Sequence, residues 1–205
     1  MSLVDKFWKW ERRIFIALAL ALSANTISIP VTAYINSKVS TGNKTAVFTS
    51  GYCSPSLSGR AVSAVIDFFM YTPVTLRQNL NGSQVDWYSN SARKQVLDVL
   101  QNTDYQNIVF IGHGSKSSYV ATDGNVSVDD LTNLDLPPRH GEFIQHTCGG
   151  GNGKSLREVL YPSGSRGYNF DKEISIFENY RRSLVELGKS FVELMQGYVR
   201  GSEEN

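Results

Sequence analysis

Two cysteines, Cys53 and Cys148, stand among 205 residues. Two are too few for a disulfide framework, and no Cys/His spacing in the chain reads as a zinc site. The cysteine count therefore does not reveal the redox compartment. Charge of one sign is lacking too. Lys and Arg number 20 against 19 Asp and Glu, a net charge of +1, so nothing suggests a nucleic-acid binder held by electrostatics. Charged residues make up 19% and hydrophobic residues 41%, which fits a globular protein and neither disorder nor a coiled coil. The length suits one domain with a sizeable core, with or without a short appendage.

The first 37 residues read as a separate piece. Lys6, Lys9, Arg12 and Arg13 precede an uncharged stretch, IFIALALALSA, from Ile14 to Ala24. A more polar continuation, NTISIPVTAYI, reaches Ile35, and the next charge is Lys38. Ile14 to Ile35 is 22 residues, enough for a helix to span a bilayer, although Asn25, Thr26, Ser28 and Pro30 weaken that reading. Two others stand beside it. The basic start, the apolar stretch and Val31-Thr32-Ala33 as a cleavage site describe a signal peptide, which would leave a secreted protein. A buried amino-terminal helix of the domain is the third. The reading carried forward is an anchor over residues 14–35, with 1–37 as anchor or signal and 38–205 as the folded domain. Positive charge before the apolar stretch would keep the N-terminus cytoplasmic and the domain outside, with Trp8 and Trp10 at the interface. Sequons at Asn43, Asn81 and Asn125 are about as many as chance supplies in so Asn-, Ser- and Thr-rich a chain.

Beyond residue 43, strand-like and helix-like segments alternate. KTAVFTSGY (44–52) reads as a buried strand and 56–71 as a helix, with Val62, Val65, Ile66, Phe69 and Met70 at helical spacing. TPVTLRQNL (72–80) opens with proline and alternates like a strand; 81–102 reads as a turn followed by an amphipathic helix with Ala92, Val96, Val99 and Leu100 on one side. QNIVFIGHGS (106–115) is the clearest strand. A small hairpin around Asp123-Gly124 follows, then a strand ending in a Gly-rich turn (141–151), a helical turn or two (155–162) and a long terminal helix (174–199). Strands separated by helices imply a mostly parallel sheet covered by helices, with reactive residues at the strands' carboxyl ends. His113 follows one apolar strand and Cys148 ends another, which puts both on one rim.

That pair suggests chemistry. A cysteine is mostly protonated at neutral pH, and a nearby imidazole can remove the proton and later deliver it to a leaving amine. The neighbouring glycines, Gly114 and Gly149, let backbone approach a substrate and offer N–H groups to an oxyanion. Taken singly, each residue has an ordinary explanation: a small buried hydrophobe for the cysteine, a hydrogen-bonded scaffold residue for the histidine.

An apolar strand then His-Gly (IVFIGHG), and later an apolar strand then a cysteine in a Gly-rich turn (EFIQHTCGG), resembles the caspase-like superfamily of cysteine peptidases. Between them, 33 residues separate Gly114 from Cys148, and DGNVSVDDL looks like the hairpin and Asp-Leu turn of CHAT domains and their bacterial relatives, so that the likeness is greatest to bacterial CHAT and legumain-like domains. The resemblance covers about 45–200 and implies a three-layer α/β/α sandwich without metal or organic cofactor. It implies His113 as general base and acid, Cys148 as nucleophile, and the N–H groups of Gly114 and Cys148 as the oxyanion hole. Asp123 and Asp130 lie in the segment that often borders the specificity pocket, and a structural turn role competes with substrate binding there. His146 shares a strand face with Cys148, either as a second imidazole or as a polar residue at the strand's end. The implied substrate is a protein or peptide. Thr147 departs from the small residue, commonly Ala, that precedes the nucleophile in many relatives. The chain also lacks the second long half of caspases, so a second copy or a regulatory partner would complete the groove.

Other readings compete. CGGGNGKS resembles a phosphate-binding loop, but Cys148 stands where its first glycine is required. Ser115 is out of register for a G-x-S-x-G nucleophile elbow. A disulfide between Cys53 and Cys148 would leave a catalytically inactive caspase-like adaptor or binding domain attached to a membrane. His140 reads as a solvent residue.

Overall fold

A computed structural model describes residues 23–39, 42–50, 57–147, 154–164 and 176–203. The helix over 23–38 is α1. It is followed by β1 (Asn43–Thr49), α2 (Leu57–Leu80), β2 (Ser83–Ser89), α3 (Arg93–Leu100) and β3 (Tyr105–Ile111). Then come β4 (Gly114–Ser115), β5 (Ser118–Ala121), β6 (Gly124–Ser127), α4 (Val128–Thr132), β7 (Phe143–His146), α5 (Leu156–Leu160) and α6 (Ile176–Glu203).

Four strands form a parallel sheet in the order β2-β1-β3-β7. Successive side chains of a strand point to opposite faces, so an apolar run buries both. Ala46, Phe48, Ile108, Phe110 and Phe143 face Val96 and Leu100 of α3, Leu131 of α4, and Leu156 and Leu160 of α5. Val47, Val109, Ile111 and Ile144 face Ile66, Met70 and Val74 of α2, with Tyr180 of α6 packed beside them. The result is the expected α/β sandwich, a parallel sheet between two helical layers. The antiparallel β4-β5-β6 sheet lies on the α3 side, where the Tyr119 ring sits 4.5 Å from Phe110.

The segment 72–80, which alternates like a strand, is helical. Val74 continues the four-residue spacing of Ile66 and Met70 into the core, and α2 runs on through Pro73. Its last turn is held by long-range bonds. Arg77 grips Glu142 with Nη1 and Nη2, each at 2.6 Å, and Gln78 Nε2 donates to the same carboxylate at 2.8 Å. The second strand is instead β2, within a stretch that reads as turn and helix; its pairing with β1 over seven residues decides the matter. The Arg77–Glu142 cluster, with Thr45, Ser83 and Asn107 bonded beside it, fills the amino ends of the strands and leaves the carboxyl ends for chemistry.

The expectation of a membrane-anchored chain is corrected. Among the described residues no helix is long and apolar enough to cross a membrane. The polar residues that weaken the span find partners within the fold. Asn25 is buried, and Ser28 lies 3.0 Å from Thr72 of α2, hydroxyl to hydroxyl. Asn36 bonds both backbone groups of Val85 in β2. Helix α1 thus lies against α2 and the edge of the sheet, and the topology with a cytoplasmic N-terminus and an external domain loses its basis. The cleavage triplet of the secreted alternative falls inside this helix, with Thr32 buried in it. Residues 14–22, the most apolar part of the proposed span, lie outside the described residues.

Candidate active site

Strand order reverses between β1 and β3, since β2 lies on one side of β1 and β3 on the other. In open parallel sheets, ligands bind outside the carboxyl ends of the strands at such a point. His113 stands just past β3, half-buried, in the link to β4. Strands β3 and β7 are adjacent and in register, with Ile111 opposite His146. The Gly112 N–H donates to the His146 carbonyl at 3.1 Å, extending the ladder by one step. His113 and Cys148 therefore each lie two positions beyond the same registered pair. Cys148 itself, like Gly149 and Cys53, lies outside the described residues, and so does the Cys53–Cys148 disulfide reading.

Gly112 makes the bend before His113. Its φ is +138°, and a Cβ there would sit 2.7 Å from Ser50 Oγ and 2.8 Å from the Ser50 carbonyl. The ends of β1 and β3 approach this closely because the position carries no side chain. Beyond it, the Val120 N–H donates to the His113 carbonyl at 2.9 Å. Antiparallel pairs alternate between hydrogen-bonded and non-bonded, so Gly114, opposite Tyr119, is in a non-bonded pair and its N–H points away from β5. A side chain at Gly114 would run into the Ser118 carbonyl. The neighbouring Tyr119 is fully buried, and desolvation raises its pKa, which keeps its hydroxyl neutral.

At the end of β7, Gln145 and His146 are each 1% exposed and Thr147 is 3% exposed. Alternation along the strand puts Gln145 on the face of Phe143 and His146 on the face of Ile144, towards α2. Gln145 Nε2 donates to the Ser115 carbonyl at 2.6 Å and to Thr147 Oγ1 at 2.8 Å. No sequence motif singles out Gln145. A polar residue directly after the apolar pair Phe143-Ile144 is the signal the sequence offers.

Asp123 and Asp130 are both engaged by Arg93. Asp123 Oδ1 accepts from the Arg93 N–H, supplying a cap to α3, whose own N-cap Ala92 has none. Asp130 completes a capping box with Ser127, and its other oxygen takes Arg93 Nη2 at 2.7 Å. The backbone and side-chain bonds from Ser127, with the Arg93 charge, hold its carboxyl below the usual range. His140 is exposed. In the stretch that resembles a phosphate loop, Ser155 is the N-cap of α5 in a capping box with Glu158. Among the described residues no cluster of His, Cys, Asp and Glu could hold a metal ion.

No family model matches the chain, and no curated protein matches it. Among solved structures, it is similar to caspase-1 from Spodoptera frugiperda, at 15% identity and a TM-score of 0.39, over 68% of this chain and 58% of that one. It is also similar to pro-sf-caspase-1, at 13% identity and a TM-score of 0.37, over 58% of this chain and 56% of that one. The chain thus spans less than two thirds of the length of the solved chains it matches. Both are caspases, and neither bears on the finer likeness to CHAT or legumain-like domains.

Proposed function

We propose that the chain is a cysteine peptidase, with Cys148 as nucleophile and His113 as general base and acid. The observation that carries this reading is the register of Ile111 with His146 on adjacent parallel strands; His113 and Cys148 each follow that pair by two positions in the sequence. Neighbouring strands run about 4.8 Å apart, so the segments that leave the ends of β3 and β7 start out close together. The substrate is a protein or peptide. His113 takes the thiol proton, and the Cys148 thiolate attacks the scissile carbonyl. The oxyanion meets the Gly114 and Cys148 N–H groups. His113 passes the proton to the leaving amine as the C–N bond breaks, leaving a thioester. Water, deprotonated by His113, then cleaves the thioester and restores the thiol.

The full-length chain is treated with a thiol-alkylating reagent across pH, and the label is located by mass spectrometry. Rapid labelling of Cys148 below pH 7, lost in His113→Ala, is the expected result. Labelling no faster than an ordinary thiol sinks the proposal, as does a Cys53–Cys148 bond that blocks labelling until reductant is added. In a peptide-library assay, Cys148→Ala abolishes cleavage and His113→Ala nearly does so, since the pair acts as a unit.

A further inference from the structure

The hairpin after His113 is held at one carbonyl after another. The His113 carbonyl accepts from Val120, that of Lys116 from the Leu156 N–H at 3.0 Å, and that of Ser117 from the Val128 N–H at 3.0 Å. The Ser115 carbonyl is the one taken by a side chain of β7, that of Gln145. The same Gln145 nitrogen holds Thr147, the last described residue before Cys148. One amide therefore joins the turn that follows His113 to the strand end that leads to the cysteine.

The orientation of that amide is set by chemistry. A carbonyl oxygen only accepts, so the nitrogen must face Ser115. Gln145 Oε1 is then left buried with no hydrogen-bond partner. A buried unpaired acceptor lowers stability, and leucine of similar volume would avoid it. Leucine would also take the donor away from the Ser115 carbonyl and Thr147 Oγ1, so what glutamine adds is the bridge between them.

We infer that Gln145 is a positioning residue, which sets the end of β7 against the turn that follows His113. The inference rests on the peptidase reading above, because the geometry it controls is that of His113 relative to Cys148. It acts through Ser115 and Thr147 and touches no substrate.

The full-length wild type, Gln145→Leu, Thr147→Val, Thr147→Ser and His113→Ala are compared by the pH profile of Cys148 alkylation, with thermal unfolding alongside. In Gln145→Leu, labelling at pH 6 falls about tenfold or more towards the His113→Ala rate, while unfolding stays cooperative. Thr147→Val, which removes one of the two acceptors and keeps the shape, shows a smaller fall in the same direction and decides the matter if Gln145→Leu does not fold. Thr147→Ser, which keeps the hydroxyl, labels like wild type. Wild-type profiles in both Gln145→Leu and Thr147→Val, with His113→Ala slow, overturn the role of Gln145 and leave the dyad standing. A wild type whose labelling does not depend on His113 removes the peptidase reading, and the role of Gln145 with it.

Discussion

Asn36 holds the backbone of Val85 in both directions. Its Nδ2 donates to the Val85 carbonyl at 2.8 Å, and its Oδ1 accepts the Val85 N–H at 2.8 Å. Strand β2 is an edge of the sheet, so these two groups would otherwise face outward unpaired. The side-chain amide of α1 does what the backbone of a further strand would do, and Asn79 Nδ2 steadies it at 2.8 Å.

Replacing Asn36 with leucine should therefore cost stability, about 2 kcal/mol from the lost bonds and the backbone groups left unpaired. Deleting residues 1–37 should cost at least as much, since Asn36 goes with them. Urea denaturation of the three chains measures this. Equal midpoints would mean that α1 adds nothing to the sheet.

Gly112→Ala should disturb the site from within the backbone. The left-handed φ of +138° and the collision with Ser50 both penalise a side chain there. The expected loss is more than about 1 kcal/mol, together with slower Cys148 labelling as His113 shifts. A second change, Ser50→Ala, removes the Oγ contact but not the carbonyl contact, so it restores part of the loss. Full restoration, or no loss in the first place, contradicts the close approach of β1 and β3.

Acid should loosen the β6–α4 corner through Asp130. Ser127 donates its N–H and its hydroxyl to Asp130 Oδ2, each at 2.9 Å, and Arg93 pairs with Oδ1. These bonds lower the folded-state pKa. A group with a depressed pKa adds stability above its unfolded value, about 3.9 for Asp, and loses it as pH falls through the lower folded value. Asp130→Asn should be less stable than wild type at neutral pH, with a difference that shrinks as the pH falls below about 4. Midpoints measured from pH 7 downwards check the sign; a constant gap at every pH would exclude it.

Much of the core was legible in the residues. The run before Gly112 and the run before Cys148 both announce buried strands, and β3 and β7 lie within them. The hairpin at Asp123-Gly124 is present, with Ala121 opposite Gly124. The terminal helix is present as well. These features rest on local periodicity and turn chemistry, which neighbouring residues carry between them. The segment around Pro73 departs from its local pattern for a reason of the same kind. Proline argues locally against a helix interior, while the packing of Val74 and the bonds of Arg77 and Gln78 outweigh it from a distance.

Taken by itself, the amino-acid sequence determined the class of the fold, the two apolar runs that become β3 and β7, and a nearly balanced net charge. Tertiary structure alone decided which strands are neighbours, that β2 and not the segment before it joins the sheet, and that the polar residues of α1 pack on protein. It also decided that Arg93 engages Asp123 and Asp130, and that Gln145 joins Ser115 to Thr147. The division is physical: periodicity is a property of residues a few positions apart, whereas register and buried hydrogen bonds join residues tens of positions apart, and their partners exist only once the chain has closed around them.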